Sequence, residues 1–365
     1  MGLIEKKVRF SPIGYTRYLK GLKKTYMMFR QGKLLESLSV KSWEIAPANS
    51  TISKKAYFLE NQLDRVTGTA YTDDPHSVMH GGISIVHNPT RAYLLKNIWM
   101  INGSIYKGLH QFQLHHKTKL SSKMNYFPPV IFDTEIKNGS IYSSYDGNEF
   151  FGLWLTDDCT NYKLAAAEGT PITTDIFTSP HMLEYESLLN MNPYRTNAAY
   201  LKDAVFFDDD WGNNKKKQEI FNSNKELLLS KFASNSHPGV FILRRNSGKT
   251  RIMLNEIEIA ERLREKYGFK IVDVTQQSVQ EIIAACAGAR IIAGIEGSHL
   301  MHGLMVLEPG ASVLTLQPPN RFCGVLKITT DMQDLNYAFV VGIQKEENFS
   351  INFEEVERTL SLLRF

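Results

Sequence analysis

Residues 289–319 read ARIIAGIEGSHLMHGLMVLEPGASVLTLQPP, and this segment sets the architecture of the chain. Ile291, Ile292 and Ala293 form a short apolar run, as a parallel strand buried on both faces presents. The run ends in Gly294-Ile295-Glu296-Gly297-Ser298-His299, and a helical pattern starts at Leu300. Glu308-Pro309-Gly310-Ala311 then turns the chain, and Ser312–Leu316 reads as a second strand. Strand, glycine turn, helix and strand make one unit of an open α/β sheet. Such a turn exposes backbone N–H groups at the positive end of a helix dipole and so seats an anion. The anion expected here is the diphosphate of a nucleotide.

The same alternation extends outward. Val240–Leu243 and Ile271–Val274 read as strands, with an amphipathic helix over Asn255–Tyr267 that stops at Gly268 and a second helix over Val279–Ala287. Val340–Ile343 adds a further strand, and Glu354–Leu363 a closing helix. Alternation of this kind predicts a parallel, doubly wound sheet. Upstream, NEFFGLWLTDD (148–158) opens a helical pattern that runs through Ala165–Ala167, DAVFF (203–207) reads as a strand, and Asp208–Gly212 breaks the chain. From Lys54 to Tyr145 short strands and turns dominate, with Asn102-Gly103 and Asn138-Gly139 as hairpin-turn dipeptides. Residues 15–33 are basic, with Tyr15, Tyr18, Leu22, Tyr26 and Phe29 at helical spacing. They read either as a helix packed on the body or as a peripheral membrane contact through Lys20, Lys23, Lys24 and Arg30.

A chain of 365 residues suits two domains. A net charge of +4 is too mild to imply nucleic acid or an anionic membrane as a partner. Cys159, Cys286 and Cys323 are odd in number and widely spaced, which points to buried thiols in a reducing compartment. MGLIEKKVRF has no signal-peptide core, and no window approaches a membrane span. His115-His116 sits in a β-like segment, where adjacent side chains face opposite ways and make a poor metal site. Asp208-Asp209-Asp210 reads as a solvated turn at a strand end. No catalytic metal is expected.

The 289–319 segment resembles the donor-site signature of glycosyltransferase family 61. That signature is an apolar strand, Gly-x-His-Gly-Ala-Gly-Leu, a short helix, and Pro-Pro-Gly-Ala before the next strand. Gly294, Gly297, Ser298, Leu300, Pro309, Gly310 and Ala311 match, while Glu296 stands at the family's histidine and His299 at its third glycine. Arg244-Arg245, Arg251 and Asn255-Glu256 resemble its Arg-rich turn and following helix. Asn148 to Asp157 resembles its Asn-x-x-His-Trp-x-x-Asp motif, with Gly152 in place of the histidine. The likeness spans roughly Asn148 to Pro319. It implies a GT-B-like α/β fold of two Rossmann-like domains with a β-rich N-terminal lead-in. Residues 1–209 would bind the acceptor, 210–345 the nucleotide-sugar, and 346–365 form the closing helix. The implied reaction is an inverting, metal-independent hexosyl or pentosyl transfer from a nucleotide-sugar, most simply a UDP-sugar, to a glycan hydroxyl in surface polysaccharide synthesis. No cofactor is expected. The missing signal anchor suggests a cytoplasmic bacterial or viral relative, with the inner face of the membrane as a working site.

The resemblance and the strand-end positions together name the site. Arg244, Arg245 and Arg251, with Gly297, Ser298 and His299, would hold the diphosphate, guanidinium forks suiting that anion. The alternative for the arginines is a solvated basic loop. A carboxylate inside a phosphate turn would repel the ligand, so Glu296 turns to a ribose or sugar hydroxyl or pairs with an arginine. Glu308 and Gln317 are further candidates for ribose or sugar contacts. Asp157 and Asp158 are candidates for the base that takes the acceptor proton, or else open a helix as N-cap or first-turn aspartates. Two rivals share this sheet: a pyruvyl or phosphoglycan transferase, and a non-catalytic nucleotide- or glycan-binding module.

Overall fold

The computed structural model describes residues 4–10, 31–70, 74–101, 104–107, 110–113, 131–175, 178–209, 214–245 and 252–363. Its contacts divide the chain into two compact units, Met1–Asn49 with His87–Phe221 and Ser50–Val86 with Asn222–Phe365. Both are α/β. Most of the basic 15–33 segment lies outside the described residues; a helix is present over Gln31–Leu38.

The first unit is built on a mixed sheet. Its strands are β1 (Ile4–Phe10), β2 (Lys41–Ala46), β3 (Thr90–Ile101), β4 (Ser104–Lys107), β5 (His110–Gln113), β6 (Ile131–Ile141), β7 (Thr170–Thr173), β8 (Tyr194–Arg195) and β9 (Ala198–Asp208). The order is β8-β7-β6-β9-β3-β4-β5, with β1 paired to β6 and β2 to β3. The β8-β7-β6-β9 part is parallel, and the β9-β3-β4-β5 part is antiparallel. The parallel sheet expected of a Rossmann-like domain therefore covers only part of this unit. Connections as short as those around β4 permit antiparallel neighbours but no crossover helix. Leu95, Ile98, Met100, Ile136, Leu201, Ala204 and Phe206 form the core against one face.

The Asn138-Gly139 dipeptide is not a hairpin turn. It lies inside β6, where Gly139 pairs with Thr170 and Ala204. A Cβ at Gly139 would come within 2.5 Å of Ile172 Cδ1 and 2.6 Å of Leu201 Cδ2, so the glycine answers to tight cover on the sheet. Asn102-Gly103 lies outside the described residues; the strands on either side pair antiparallel from Ile101 and Ser104.

After β6 a short helix covers Tyr145–Glu149; beyond the extended Phe150 a second helical stretch begins at Phe151, passes through a π-helical turn at Trp154–Asp158, and continues as α1 (Cys159–Glu168). Threonine hydroxyls compete for its backbone carbonyls: Thr156 Oγ1 donates to the Gly152 carbonyl at 3.1 Å, and Thr160 Oγ1 to that of Asp157 at 2.7 Å. Helix α2 (Lys215–Leu229) follows β9.

The second unit carries the parallel sheet that the alternating pattern predicts. Its strands are β10 (His237–Leu243), β11 (Lys270–Asp273), β12 (Ala289–Ile295), β13 (Ser312–Gln317) and β14 (Asn336–Val341), in the order β11-β10-β12-β13-β14. All four neighbour pairs are parallel. Every residue of β13 is buried, as covering both faces requires. Helices α3 (Glu256–Tyr267), α4 (Val279–Cys286), α5 (Val325–Met332) and α6 (Phe353–Leu362) are joined to it. Gly268 stops α3 at φ 72, its N–H returning to the Arg264 and Leu263 carbonyls. The fifth strand ends at Val341, two residues short of the expected Ile343, which instead opens a small hairpin with Asn348–Ser350. Residues 50–86 dress this unit: Tyr57 bridges to β14, and Arg65 forks onto Glu355 of α6. The chain leaves β10 toward β11 and returns on the other side at β12. The carboxyl ends of β10 and β12 therefore flank a topological switch point, where open α/β sheets bind ligands.

Candidate functional site

Arg244 and Arg245 sit at that point, directly after β10. Their turn is fixed from below by Glu256, in the first turn of α3. Its Oε1 accepts the Arg244 N–H at 2.6 Å and its Oε2 the Arg245 N–H at 3.2 Å. Burial raises the Glu256 carboxyl above its usual range, against these bonds and the arginine charges. Arg245 is held at φ 52, left-handed for a side chain of its size. Its Nε donates to Asp273 Oδ2 at 3.0 Å, and the side chain stays 46% exposed. The two arginines thus diverge: Arg245 faces outward, while Arg244 is only 4% exposed.

The Arg244 guanidinium runs into the glycine turn, with Nη1 3.4 Å from the Glu296 carbonyl. A Cβ at Gly297 would overlap Nη1, and Gly297 has φ 155 and ψ 170, a backbone open to glycine almost alone. The glycine makes room for an arginine. Ser298 follows and is half-buried. The helix expected from Leu300 is short, a 3-10 turn at Ser298–Leu300 and four α-helical residues, Met301–Leu304. So few aligned peptides carry little dipole, and the positive charge at this edge comes from guanidinium groups. His299 is buried against Gly294 and Gly297 rather than turned outward.

Glu296 is buried, and its Oε2 lies 4.0 Å from Arg321 Nη1. Arg321 lies four positions past the end of β13, in the 3-10 turn Pro319–Arg321, so the immediate strand-end position that marks Arg244 does not mark it. The Gln317 side chain is engaged inside the fold: Nε2 donates to the Cys323 carbonyl at 2.8 Å and to Tyr337 Oη at 3.0 Å, and Oε1 accepts the Cys323 N–H at 3.1 Å. It clamps the loop after β13. Glu308 lies at the other end of the sheet. It precedes the amino end of β13, beside Ala289 and Arg290 at the amino end of β12. A strand of six residues spans about 20 Å, which separates Glu308 from the arginine edge. Arg251 lies outside the described residues.

The first unit holds a second cluster. Asp157 lies in the first turn of the π-helical segment, as the helix-opening alternative allows, and Asp158 stands directly before α1 in helical conformation without a side-chain cap hydrogen bond. Asp158 is fully buried; its carboxyl accepts the Ser144 N–H at 3.1 Å and the Ser144 hydroxyl at 2.7 Å. Burial pushes this carboxyl well above the usual range, the Ser144 bonds opposing. Asp157 is 24% exposed and pairs with Lys217, whose ammonium also lies 3.1 Å from Asp209 Oδ2. Lys217 is in the first turn of α2 and only 3% exposed. Burial by itself would lower the Lys217 pKa; Asp157 and Asp209 outweigh it and raise the value. Thr90 Oγ1 donates to Asp209 at 2.8 Å and accepts from Asn214 Nδ2 at 2.6 Å. Asn214 Oδ1 in turn accepts the Lys217 N–H at 3.1 Å and caps α2. The expectation of a solvated aspartate turn fails at Asp209, whose side chain is 3% exposed and ion-paired. Asn214 before a lysine-rich run signals only the start of α2, and nothing local marks Lys217 as buried.

A carboxylate reachable by a substrate, held by a buried ammonium, can accept a proton from a hydroxyl. An outward guanidinium such as Arg245's at a sheet's carboxyl edge can hold a diphosphate. Among the described residues, no group of three or more His, Cys, Asp or Glu could hold a metal ion, and no helix is long and apolar enough to cross a membrane. A family model described as Glycosyltransferase 61 matches residues 108–314, more than half of the chain; the span includes Asp157, Asp209, Lys217, Arg244, Arg245 and Glu296 and leaves out Thr90 and Arg321. No curated protein matches the chain.

Proposed function

The chain belongs to glycosyltransferase family 61, and on that premise we propose an inverting, metal-independent transfer of a sugar from a nucleotide-sugar to a glycan hydroxyl. The second unit binds the donor and the first the acceptor, in the division of labour of a GT-B enzyme. The observation that carries this reading is the outward Arg245 and the half-buried Arg321 at the carboxyl edge of the parallel sheet, with Arg244 filling the glycine turn between them.

In the proposed step, Asp157 takes the proton of the acceptor hydroxyl as that oxygen attacks the anomeric carbon. The bond from that carbon to the diphosphate breaks, and the negative charge leaves on the diphosphate. Arg245 and Arg321 stabilise that charge where it develops. Lys217 fixes the Asp157 carboxylate. Asp158, buried and bonded to Ser144, holds the preceding loop and takes no part in proton transfer. A UDP-sugar donor, a surface polysaccharide as product and a working place at the cytoplasmic face of a membrane complete the proposal.

The test is a thermal-shift series with UDP, GDP, CMP and their sugar conjugates, without metal. Selective stabilisation by one nucleotide, lost in Arg245→Ala, supports the donor site. No shift with any of them refutes it. A binding module without catalysis would show the same shift but no sugar transfer, and Asp157→Asn would change nothing.

A further inference from the structure

We propose that Asp273 receives the ribose 2′-hydroxyl of the donor's nucleoside diphosphate, an inference that rests on the donor reading above. Of the three residues expected to do so, Glu308 lies at the amino edge of the sheet, Gln317 is bonded into the core, and Glu296 is buried with its carboxylate toward Arg321. A ribose beside a diphosphate at the carboxyl edge needs an acceptor there. In the βαβ unit of dinucleotide-binding sheets a carboxylate about twenty residues past the first turn hydrogen-bonds the ribose 2′-OH. Here the unit is β10-α3-β11, and Asp273 is the last residue of β11, beside Leu243 at the end of β10.

A cleft of about 350 Å³ opens at this point, lined by Leu243, Arg245, Ile271, Asp273, Gln276 and Gln277 among others. That volume is in the range of small-molecule sites. Asp273 Oδ1 accepts the N–H of Thr275 at 3.0 Å and its hydroxyl at 2.6 Å, while Oδ2 accepts Arg245 Nε at 3.0 Å. Two carboxylate oxygens offer about four acceptor positions, so capacity remains for a hydroxyl. Burial opposes ionisation of Asp273, but the Thr275 and Arg245 bonds outweigh it and hold the carboxyl below the usual range. The ribose contact thus falls next to the exposed guanidinium that would hold the diphosphate, as the connectivity of one nucleoside diphosphate requires.

The experiment is metal-free titration calorimetry of the full chain with UDP, GDP, CDP and ADP and with their 2′-deoxy forms. The wild type binds one ribonucleoside diphosphate about 10- to 100-fold more tightly than its 2′-deoxy form, the size of a lost hydrogen bond to a charged group. In Asp273→Asn that ratio falls toward one. Asp273→Ser, which keeps a short acceptor for the Thr275 turn, gives the same result if the amide variant does not fold. A wild type that binds without discriminating, or variants that keep the ratio, overturns the role of Asp273 and leaves the donor site standing. A wild type that binds none of the four overturns the donor reading itself.

Discussion

Replacing Lys217 by Met tests the first-unit cluster most directly. The substitution keeps the length of the side chain and removes the ammonium that lies against both Asp157 and Asp209. Removing one partner of a buried ion pair costs about 3–5 kcal/mol, because the charge left behind is poorly compensated; here Asp209 keeps the Thr90 hydroxyl and Asp157 is 24% exposed, which places the loss toward the lower end. For a unit of this size each kcal/mol moves the midpoint by about 2–4 °C, so the thermal transition falls by on the order of 10 °C. The loss depends on pH. In the wild type the raised Lys217 pKa gives stability that is complete below the ordinary lysine range and disappears as pH rises through the folded value. At neutral pH the variant faces two carboxylates without that ammonium. Burial already raises the Asp209 carboxyl, the Lys217 charge opposing. Without Lys217 it takes up its proton at still higher pH, so the deficit shrinks as pH falls toward 5. Urea unfolding at pH 5 and pH 7.5, followed by circular dichroism, measures both effects. Adding Asp157→Asn to Lys217→Met should return part of the loss, a coupling that a double-mutant cycle quantifies. A deficit below about 1 kcal/mol, or one identical at the two pH values, would refute the buried pairing.

Three further outcomes are expected. Asp158→Asn keeps one acceptor for Ser144, folds within about 1 kcal/mol of the wild type and retains transfer activity. The wild type loses stability as pH rises through the raised Asp158 pKa, and the variant's stability curve is flatter there; loss of turnover with folding intact would instead make Asp158 the base. Gly297→Ala drives a Cβ into Arg244 Nη1, costs about 1–3 kcal/mol and weakens nucleotide binding in calorimetry; an unchanged affinity would show that Arg244 is not needed at that position. Gly139→Ala meets Ile172 and Leu201 and costs about 1–3 kcal/mol by overpacking, measured by chemical unfolding; a neutral result would show that those side chains yield freely.

The second unit was readable because its strands are covered on both faces and its helices on one. Apolar runs such as Phe241–Leu243 and Ile291–Ala293, punctuated by Gly268 and Pro309-Gly310, state that arrangement locally. The first unit was not readable in the same way, since Asn138-Gly139 carries the chemistry of a turn while long-range cover by Ile172 and Leu201 decides its conformation. Position after a strand found Arg244 and Arg245, but which way each side chain points depends on Glu256 and Gly297. Glu308 looked eligible because distance along the chain hides which edge of the sheet a turn belongs to. Lys217 was invisible for a related reason: its partners Asp157 and Asp209 are sixty and eight residues away, and no local pattern marks a lysine as buried.

The π-helical turn at Trp154–Asp158 holds one residue more than a regular helix would need. Each helical residue advances about 100° around the axis, so that surplus sets the phase between Phe151-Gly152 on one side and Cys159–Glu168 on the other. Deleting Leu155 would leave charge and composition almost unchanged, yet rotate one segment against the other and carry Asp157 away from Lys217. Among related chains, a change at this site is therefore to be sought as a difference in length, where a tally of substitutions would record nothing.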